Sequence, residues 1–501
     1  MLRIFGPPGT GKTTTLLNIC EKALAEGVKT QSIAFLAFTR KAATEAKERA
    51  TKKFNLNPET DLPYFRTLHS LAFRLSTIKE SQLMQKENFD DLSQRVGVAL
   101  SVTKAFEDDM EQVVTSDHPI LSLINLARLR KVPLRKQYDL SNILYTWEEV
   151  SYIQRAYNAY KLSNMVYDYT DILENFATKG IHNCPAFTLC FMDEAQDLSP
   201  LQWDIAHGLD ERSTRMYAAG DDDQAIYRWA GADVDHFINL NGASEVLEQS
   251  YRVPRAVHRV AEMIAGRISN RFPKVYRPRQ EEGSVRRIYG LAEVDMTAGT
   301  WLIMAQANYM LSPVAEELKN AGLLFERNGH RSISEKTSSA VNGWEQLRKG
   351  RQITVATAQN IYDYMSGNGK RVARGFKRFS AMDDGKMFDL PTLQLQYGLC
   401  VGDDLAWFDA LDKLPDVDRV YISALLRSGE KFNATPRIRV STIHGTKGGE
   451  ADNVILFTDL SQAALNEYGD DLHRVFYVGV TRTKENLFVV EPEDATRSYM
   501  L

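Results

Sequence analysis

Cysteine is scarce in this sequence. There are four in 501 residues, Cys20, Cys184, Cys190 and Cys400, with no C-x-x-C pair and no cysteine–histidine cluster. That excludes a disulfide framework and the usual zinc spacings, and it fits reduced thiols in a cytosol-like compartment. No apolar run is long enough to span a membrane. The first residues lack the charged-then-apolar pattern of a secretory signal. An excess of one charge is also missing: 61 basic against 65 acidic residues give a net charge of −4. Nucleic acid would therefore have to be held in a local groove, not by bulk charge. The chain has no tandem repeat, no low-complexity linker and no nuclease motif. It has no Asn-Lys-x-Asp stretch, which counts against a GTPase. What remains is an ordinary globular composition, 44% hydrophobic and 25% charged, and a length that suits about three or four domains.

Two stretches carry chemistry on their own terms. Residues 6–13, Gly6-Pro7-Pro8-Gly9-Thr10-Gly11-Lys12-Thr13, match G-x-x-x-x-G-K-[ST] in full, with Thr14 next. The apolar run Leu2–Phe5 predicts a strand before the loop, and 14–25 predicts a helix after it. Glycines let backbone N–H groups curl around phosphate oxygens, and the helix N-terminus adds its positive end. Lys12 can reach the β- and γ-phosphates, and Thr13 can ligate Mg²⁺. The second stretch is the apolar run Phe187–Met192, which ends in Asp193-Glu194-Ala195-Gln196-Asp197. A buried parallel strand delivering carboxylates at its C-terminal end is where an α/β sheet places its site. Asp193 would hold Mg²⁺, and Glu194 would polarise an attacking water. The bland alternative is a strand end followed by an acidic helix cap.

A third stretch sets the class. Residues 220–232, GDDDQAIYRWAGA, resemble motif III of the UvrD/Rep-type superfamily 1A DNA helicases. Other segments follow in that family's order: AFTRKAATEAKER at 37–49, FRTLHSLAFRL at 65–75, MVYDYTDIL at 165–173, LEQSYRVP at 247–254, VSTIHGTKGGEADNVIL at 440–456 and RVFYVGVTRTKENL at 474–487. The resemblance implies an α/β fold: two RecA-like P-loop NTPase domains, each a parallel sheet flanked by helices with one inserted subdomain. It implies ATP and Mg²⁺ between those domains. Lys12, Thr13, Asp193 and Glu194 would come from the first. Arg252 and Arg482 from the second would reach the γ-phosphate as arginine fingers, whose fork suits a transferring phosphoryl group. Gln224 would sense the γ-phosphate, Tyr251 would stack on the base and Glu450 would take the ribose hydroxyls. Single-strand binders stack bases on aromatics. Here Tyr227 and Trp229 alternate in Y-R-W, so an extended segment would put both on one face. Phe38, Thr39, Thr67, His69 and His444 match other family track positions, with ordinary packing the alternative for Phe38 and His69.

On this reading the first RecA-like domain runs 1–72 and 150–247, with a helical insertion at 73–149. The second runs 248–345 and 436–501, with a short insertion at 346–435. Helical periodicity is expected around 91–105 and 146–162, and strands at 301–305, 439–442, 454–458 and 487–490. Two basic runs, 128–136 and 369–379, are candidate backbone contacts, against the alternatives of a solvated face and a surface loop. The sequence departs from the family at Ala230, where an arginine is common, and at Gly449, where an apolar residue is usual. The glutamine that reads adenine in the family is not found in the five residues before the loop. A bidentate glutamine is worth about 1–3 kcal/mol, so GTP or dATP is expected to work within about tenfold of ATP. The expected activity is ATP-dependent 3′→5′ movement on single-stranded DNA with duplex separation, acting on single strands and junctions, as a monomer, in the cytoplasm and away from membranes. The alternatives are a translocase that strips bound proteins and, less favoured, a non-enzymatic scaffold. RNA as the track stays open.

Overall fold

The structure is a computed structural model and describes residues 1–38, 40–100, 118–380, 385–431, 434–466, 469–492 and 494–501. It falls into two compact units, Met1–Ile288 with Ile443–Leu501, and Tyr289–Thr442. Its parallel sheets flanked by helices are of the expected α/β class.

The first unit is built on a six-stranded sheet. Across it run Phe65–Thr67, Ile33–Ala37, Phe187–Met192, Ser213–Gly220, Leu2–Phe5 and Ser244–Val246. Every pairing is parallel. Alternate residues feed opposite faces, as the two-residue strand repeat requires. Phe5, Ala34, Leu36, Cys190 and Met192 enter one core layer with Trp203 and Phe237. Ile4, Phe35, Leu189, Phe191 and Ala219 enter the other with Leu16, Leu17 and Cys20. Burial on both faces explains why these strands read as continuous apolar runs. Leu2–Phe5 and Phe187–Met192 have the bounds expected of them. The helix after the phosphate loop, Lys12–Ala25, starts two residues earlier than expected because Gly11 supplies its N-cap.

The helices Lys86–Val96, Pro119–Leu129, Leu134–Asp139 and Trp147–Asn164 share a core of Leu92, Ile120, Ile124, Val150, Ile153 and Tyr157. The helix expected over 91–105 is displaced. It begins at Lys86 and ends at Gly97, whose φ of 69° is the left-handed cap that stops a helix. Residues 101–105 lie outside the described residues. Thr146 and Glu149 form a capping box at the start of Trp147–Asn164.

The same unit holds a parallel set of strands, Ala451–Phe457, Thr483–Val490 and Ser284–Ile288, with helices Arg255–Ala265 and Asp470–Val480 packed on one another. Two of these strands were expected at 454–458 and 487–490. Both start earlier, and the first stops at Phe457, because polar residues carry the ladder too: Asn453 pairs with Asn486. In the second unit, Trp301–Ala305, Ile438–Thr442 and Phe325–Arg327 run parallel, beside helices Leu311–Asn320, Glu335–Arg348 and Val355–Asp363. Cys20, Cys184 and Cys190 are buried in the first unit, and Cys400 is exposed in the second. No helix among the described residues is long and apolar enough to cross a membrane.

Candidate nucleotide and nucleic-acid site

Three interior strands end side by side, and each delivers a piece of the site, as parallel α/β sheets do at their carboxyl edge. Leu2–Phe5 leads into the phosphate loop, which stays in register with its neighbour through Gly6 N donating to Gly220 O at 2.9 Å. Gly9 and Gly11 sit at φ of 74° and 78°, where a side chain would be strained. Gly6 is needed for space: a Cβ there would lie 1.9 Å from Lys12 Cγ. Among the described residues no side chain caps the helix that begins at Lys12, which leaves its first N–H groups open to a ligand. Pro7, Pro8 and Thr10 are buried, and Thr14 is exposed. Thr10 closes the turn by donating to Pro7 O at 2.8 Å. Lys12 Nζ donates to Gly6 O at 3.0 Å and stands 3.8 Å from Glu194. Thr13 Oγ1 donates to Asp193 Oδ2 at 2.8 Å, a hydroxyl–carboxylate pair whose hard oxygens suit Mg²⁺. Among the described residues no three His, Cys, Asp or Glu converge as a cage. A cation shared with phosphate oxygens needs none.

At the end of Phe187–Met192, Asp193 is buried and Glu194 half-buried, and the two differ in charge environment. Burial, then the neighbouring Glu194, raises Asp193 above its ordinary value. Burial also pushes Glu194 up, but Lys12 and Lys447 outweigh it and hold it low, as a carboxylate. Glu194 adopts φ 55° and ψ 41°, the left-handed region. Gln196 donates to Glu194 Oε2 at 2.5 Å and accepts from Asp221 N at 2.9 Å, tying this strand end to the next.

That next end carries Gln224. Its Nε2 donates to Asp221 Oδ2 at 2.6 Å, and its Oε1 accepts from Arg482 Nη2 at 2.6 Å. Its backbone oxygen accepts from Lys447 Nζ at 2.8 Å. Arg482 is buried and also donates to Val478 O and Gly449 O. Burial, then Arg252, lowers it to about 9. Arg252 Nε donates to Glu450 Oε2 at 2.7 Å, and Lys484 stands 2.7 Å from Glu450 Oε1. Tyr251 is 75% exposed, and its N–H donates to Gly9 O at 2.9 Å.

Four predicted track residues form one aromatic group. Phe38 stacks on Tyr227 at 5.7 Å, and Tyr227, Trp229 and His444 lie 6.3–6.4 Å apart, ring to ring. The segment is not extended, however. Arg228–Ala230 is a tight helical turn closed by Ala230 N to Tyr227 O and Gly231 N to Arg228 O. Trp229 is therefore 60% exposed while Tyr227 is buried at 6%. Thr67 and His69 are buried. Thr67 caps helix Leu68–Leu75 by accepting from Ser70 N, and both residues line a cleft of about 470 Å³ with Arg40, Lys47 and Phe73. Thr39 lies outside the described residues. The basic runs are largely paired. Arg128 meets Asp168, Asp171 and Glu174, Lys131 meets Asp204, and Arg135 meets Asp139. In the second run Arg378 meets Asp363, and Lys377 donates to the carbonyls of Tyr362 and Met365.

The sequence reading passed over Lys447. It touches Gln224 O, pairs with Asp197, and lies 4.9 Å above the Tyr227 ring. Its signal was its place three residues after His444 in a segment already singled out. Burial lifts Asp197 to about 7 even with Lys447 beside it.

Comparison with known proteins gives the family. Residues 1–244 match the family model described as the UvrD/REP helicase N-terminal domain, and 437–490 match that of the UvrD-like helicase C-terminal domain. Together these take in more than half of the chain. The chain is similar to the ATP-dependent DNA helicase PcrA of Bacillus subtilis, 26% identical over 72% of this chain and 49% of that protein. It resembles the PcrA of Staphylococcus aureus at 22% over 72% and 50%, and that of Leuconostoc citreum at 25% over 54% and 38%. It thus spans about half the length of the curated relatives it matches. The chain belongs to the UvrD/Rep family of helicases.

Proposed function

We propose that this protein is an ATP-dependent DNA helicase that steps 3′→5′ along single-stranded DNA and separates duplex at junctions, working as a monomer in the cytoplasm. One observation carries the reading. A continuous chain of contacts runs from Arg482 through Gln224 and Lys447 to the face of Tyr227, behind the exposed Trp229. A nucleotide site and a base-stacking surface joined in this way are what coupling of hydrolysis to movement needs.

The residues divide the work. The loop 6–14 and Lys12 cradle phosphate oxygens. Thr13 and Asp193 would hold Mg²⁺, which neutralises phosphate charge when bound. Glu194, kept ionised by Lys12 and Lys447, orients water and accepts its proton. Arg482 and Arg252 offer guanidinium forks to the transferring phosphoryl group. Arg252 and Glu450 are paired to each other, so taking up γ-phosphate and ribose requires that pair to open. Tyr251, exposed beside Gly9, supplies a stacking face for the base.

The second reading is a translocase that displaces bound proteins and unwinds little. It is favoured by the basic run 369–379, whose Arg378 and Lys377 are engaged within their own unit. ATPase assays with and without single-stranded DNA test the motor. Unwinding of 3′-tailed against 5′-tailed duplexes tests the rest. The helicase reading expects DNA-stimulated hydrolysis and unwinding from the 3′ tail. Stimulated hydrolysis with neither duplex opened would favour the translocase, and opening of the 5′-tailed duplex would reverse the polarity.

A further inference from the structure

Residues 271–274 run into the buried carboxylates of the motif that ends in Gln224. Lys274 is buried, and its Nζ lies 3.1 Å from Asp221 Oδ1, 2.6 Å from Asp222 Oδ1 and 2.7 Å from Asp223 Oδ2. Arg271 grips Asp223 with two bonds, Nε at 2.9 Å and Nη2 at 2.6 Å. Phe272 N donates to Asp222 Oδ2 at 2.6 Å. Three consecutive carboxylates without solvent exposure cannot stay charged unless cations stand among them. Burial, with the charges of Asp223 and Asp221 adding to it, lifts Asp222 to about 6 despite Lys274. Burial alone would lower Lys274, but Asp221, Asp223 and Asp222 outweigh it and hold the ammonium above its ordinary value.

Neutralising charge would be a purely structural task. The contact with Asp221 does more. Asp221 turns one oxygen to Lys274 and the other to Gln224 Nε2. A carboxylate only accepts, so it selects the nitrogen end of the glutamine amide. The oxygen end is then left for Arg482, which only donates. With the amide reversed, Gln224 would set a donor against a buried guanidinium.

We propose that Lys274 is a positioning residue for nucleotide sensing: by fixing Asp221, it makes Gln224 present its oxygen to Arg482. This rests on the reading of Gln224 as the γ-phosphate sensor. DNA-stimulated ATP turnover of the full chain is measured for Lys274→Met, Gln224→Ala and the pair. Lys274→Met is expected to lower kcat roughly tenfold, the scale of substitutions along a coupling network, with KM for ATP moved far less. Added to Gln224→Ala, it should cost nothing more, since both act through one contact. Losses that multiply in the double variant overturn the inference and leave the sensor reading standing. Undiminished turnover of Gln224→Ala overturns the sensor reading and the inference with it. If Lys274→Met does not fold, Asp221→Asn replaces it. This near-isosteric change should reproduce the kcat loss and its disappearance in the Gln224→Ala background. Wild-type turnover of Asp221→Asn overturns the inference.

Discussion

Asp193 and Glu194 are adjacent in the chain, the first buried and the second half-buried, and their surroundings drive them apart. Asp193, whose first neighbour in charge is another carboxylate, holds its proton more tightly. Glu194, between Lys12 and Lys447, gives its proton up. Paired carboxylates pushed apart in this way take different roles. Glu194→Gln keeps the shape and removes the base, so hydrolysis should vanish while ATP still binds. Steady-state turnover and fluorescent-nucleotide binding check both halves, and turnover near wild type would reassign Glu194. Lys12→Ala should abolish hydrolysis and weaken nucleotide binding as well. Arg252→Ala and Arg482→Ala should each slow turnover by about 10³ or more, the worth of an arginine finger. Only Arg482→Ala should also destabilise the fold. It empties a buried site and strands Gln224 Oε1, whereas Arg252 is partly exposed and loses one pair with Glu450. Thermal melts of the two variants separate these outcomes.

At the scale of elements, the turn Arg228–Ala230 divides what the sequence treated as an equal pair. Tyr227 is packed between Phe38 and Lys447 and backs the proposed track, while Trp229 faces outward. Trp229→Ala should therefore weaken single-strand binding by about 1–3 kcal/mol, one base stack, with little change in stability. Tyr227→Ala should cost about 3–5 kcal/mol of stability, as large aromatic truncations do. Oligothymidine titration and urea melts of both variants measure this, and an unchanged affinity in Trp229→Ala would remove it from the track. The strands were legible because burial on both faces writes itself as an apolar run, as in Phe187–Met192. The turn was not, because alternation in Y-R-W carries no sign of the helical closure completed by Gly231 at φ 103°. The phosphate loop was legible because backbone geometry demands its glycines. The cations that hold the three aspartates were not, since Lys274 and Arg271 lie far along the chain from Asp221 and only the fold brings them together.

For the whole molecule, protons stored in or excluded from the core make stability depend on pH. Burial pushes His69 to about 4, with Arg40 the lesser cause, and pushes His444 to about 4, with Lys447 the lesser cause. Between about pH 6.5 and 4 the unfolded chain binds these protons and the folded chain does not. Stability from each histidine is thus complete above 6.5 and lost as pH falls, by about 2 kcal/mol at pH 5. Asp193, Asp197 and Asp222 pull the other way, because their raised values favour the folded state as they protonate. The test is accordingly a difference between variants. On moving from pH 7 to pH 5, His69→Gln should gain about 2 kcal/mol in urea stability relative to wild type, and equal slopes would mean that His69 takes up its proton as readily folded as unfolded. The four cysteines have a more practical consequence. Burial lifts the thiols of Cys20 and Cys184 to about 12 and about 11 and that of Cys190 further, whereas Cys400 is exposed. A maleimide dye at neutral pH should therefore form one adduct on the native protein and four in denaturant, counted by mass spectrometry. The wild-type chain carries a built-in handle for spectroscopy, and a fluorophore at Cys400 would report on the unit Tyr289–Thr442 without a single engineered residue.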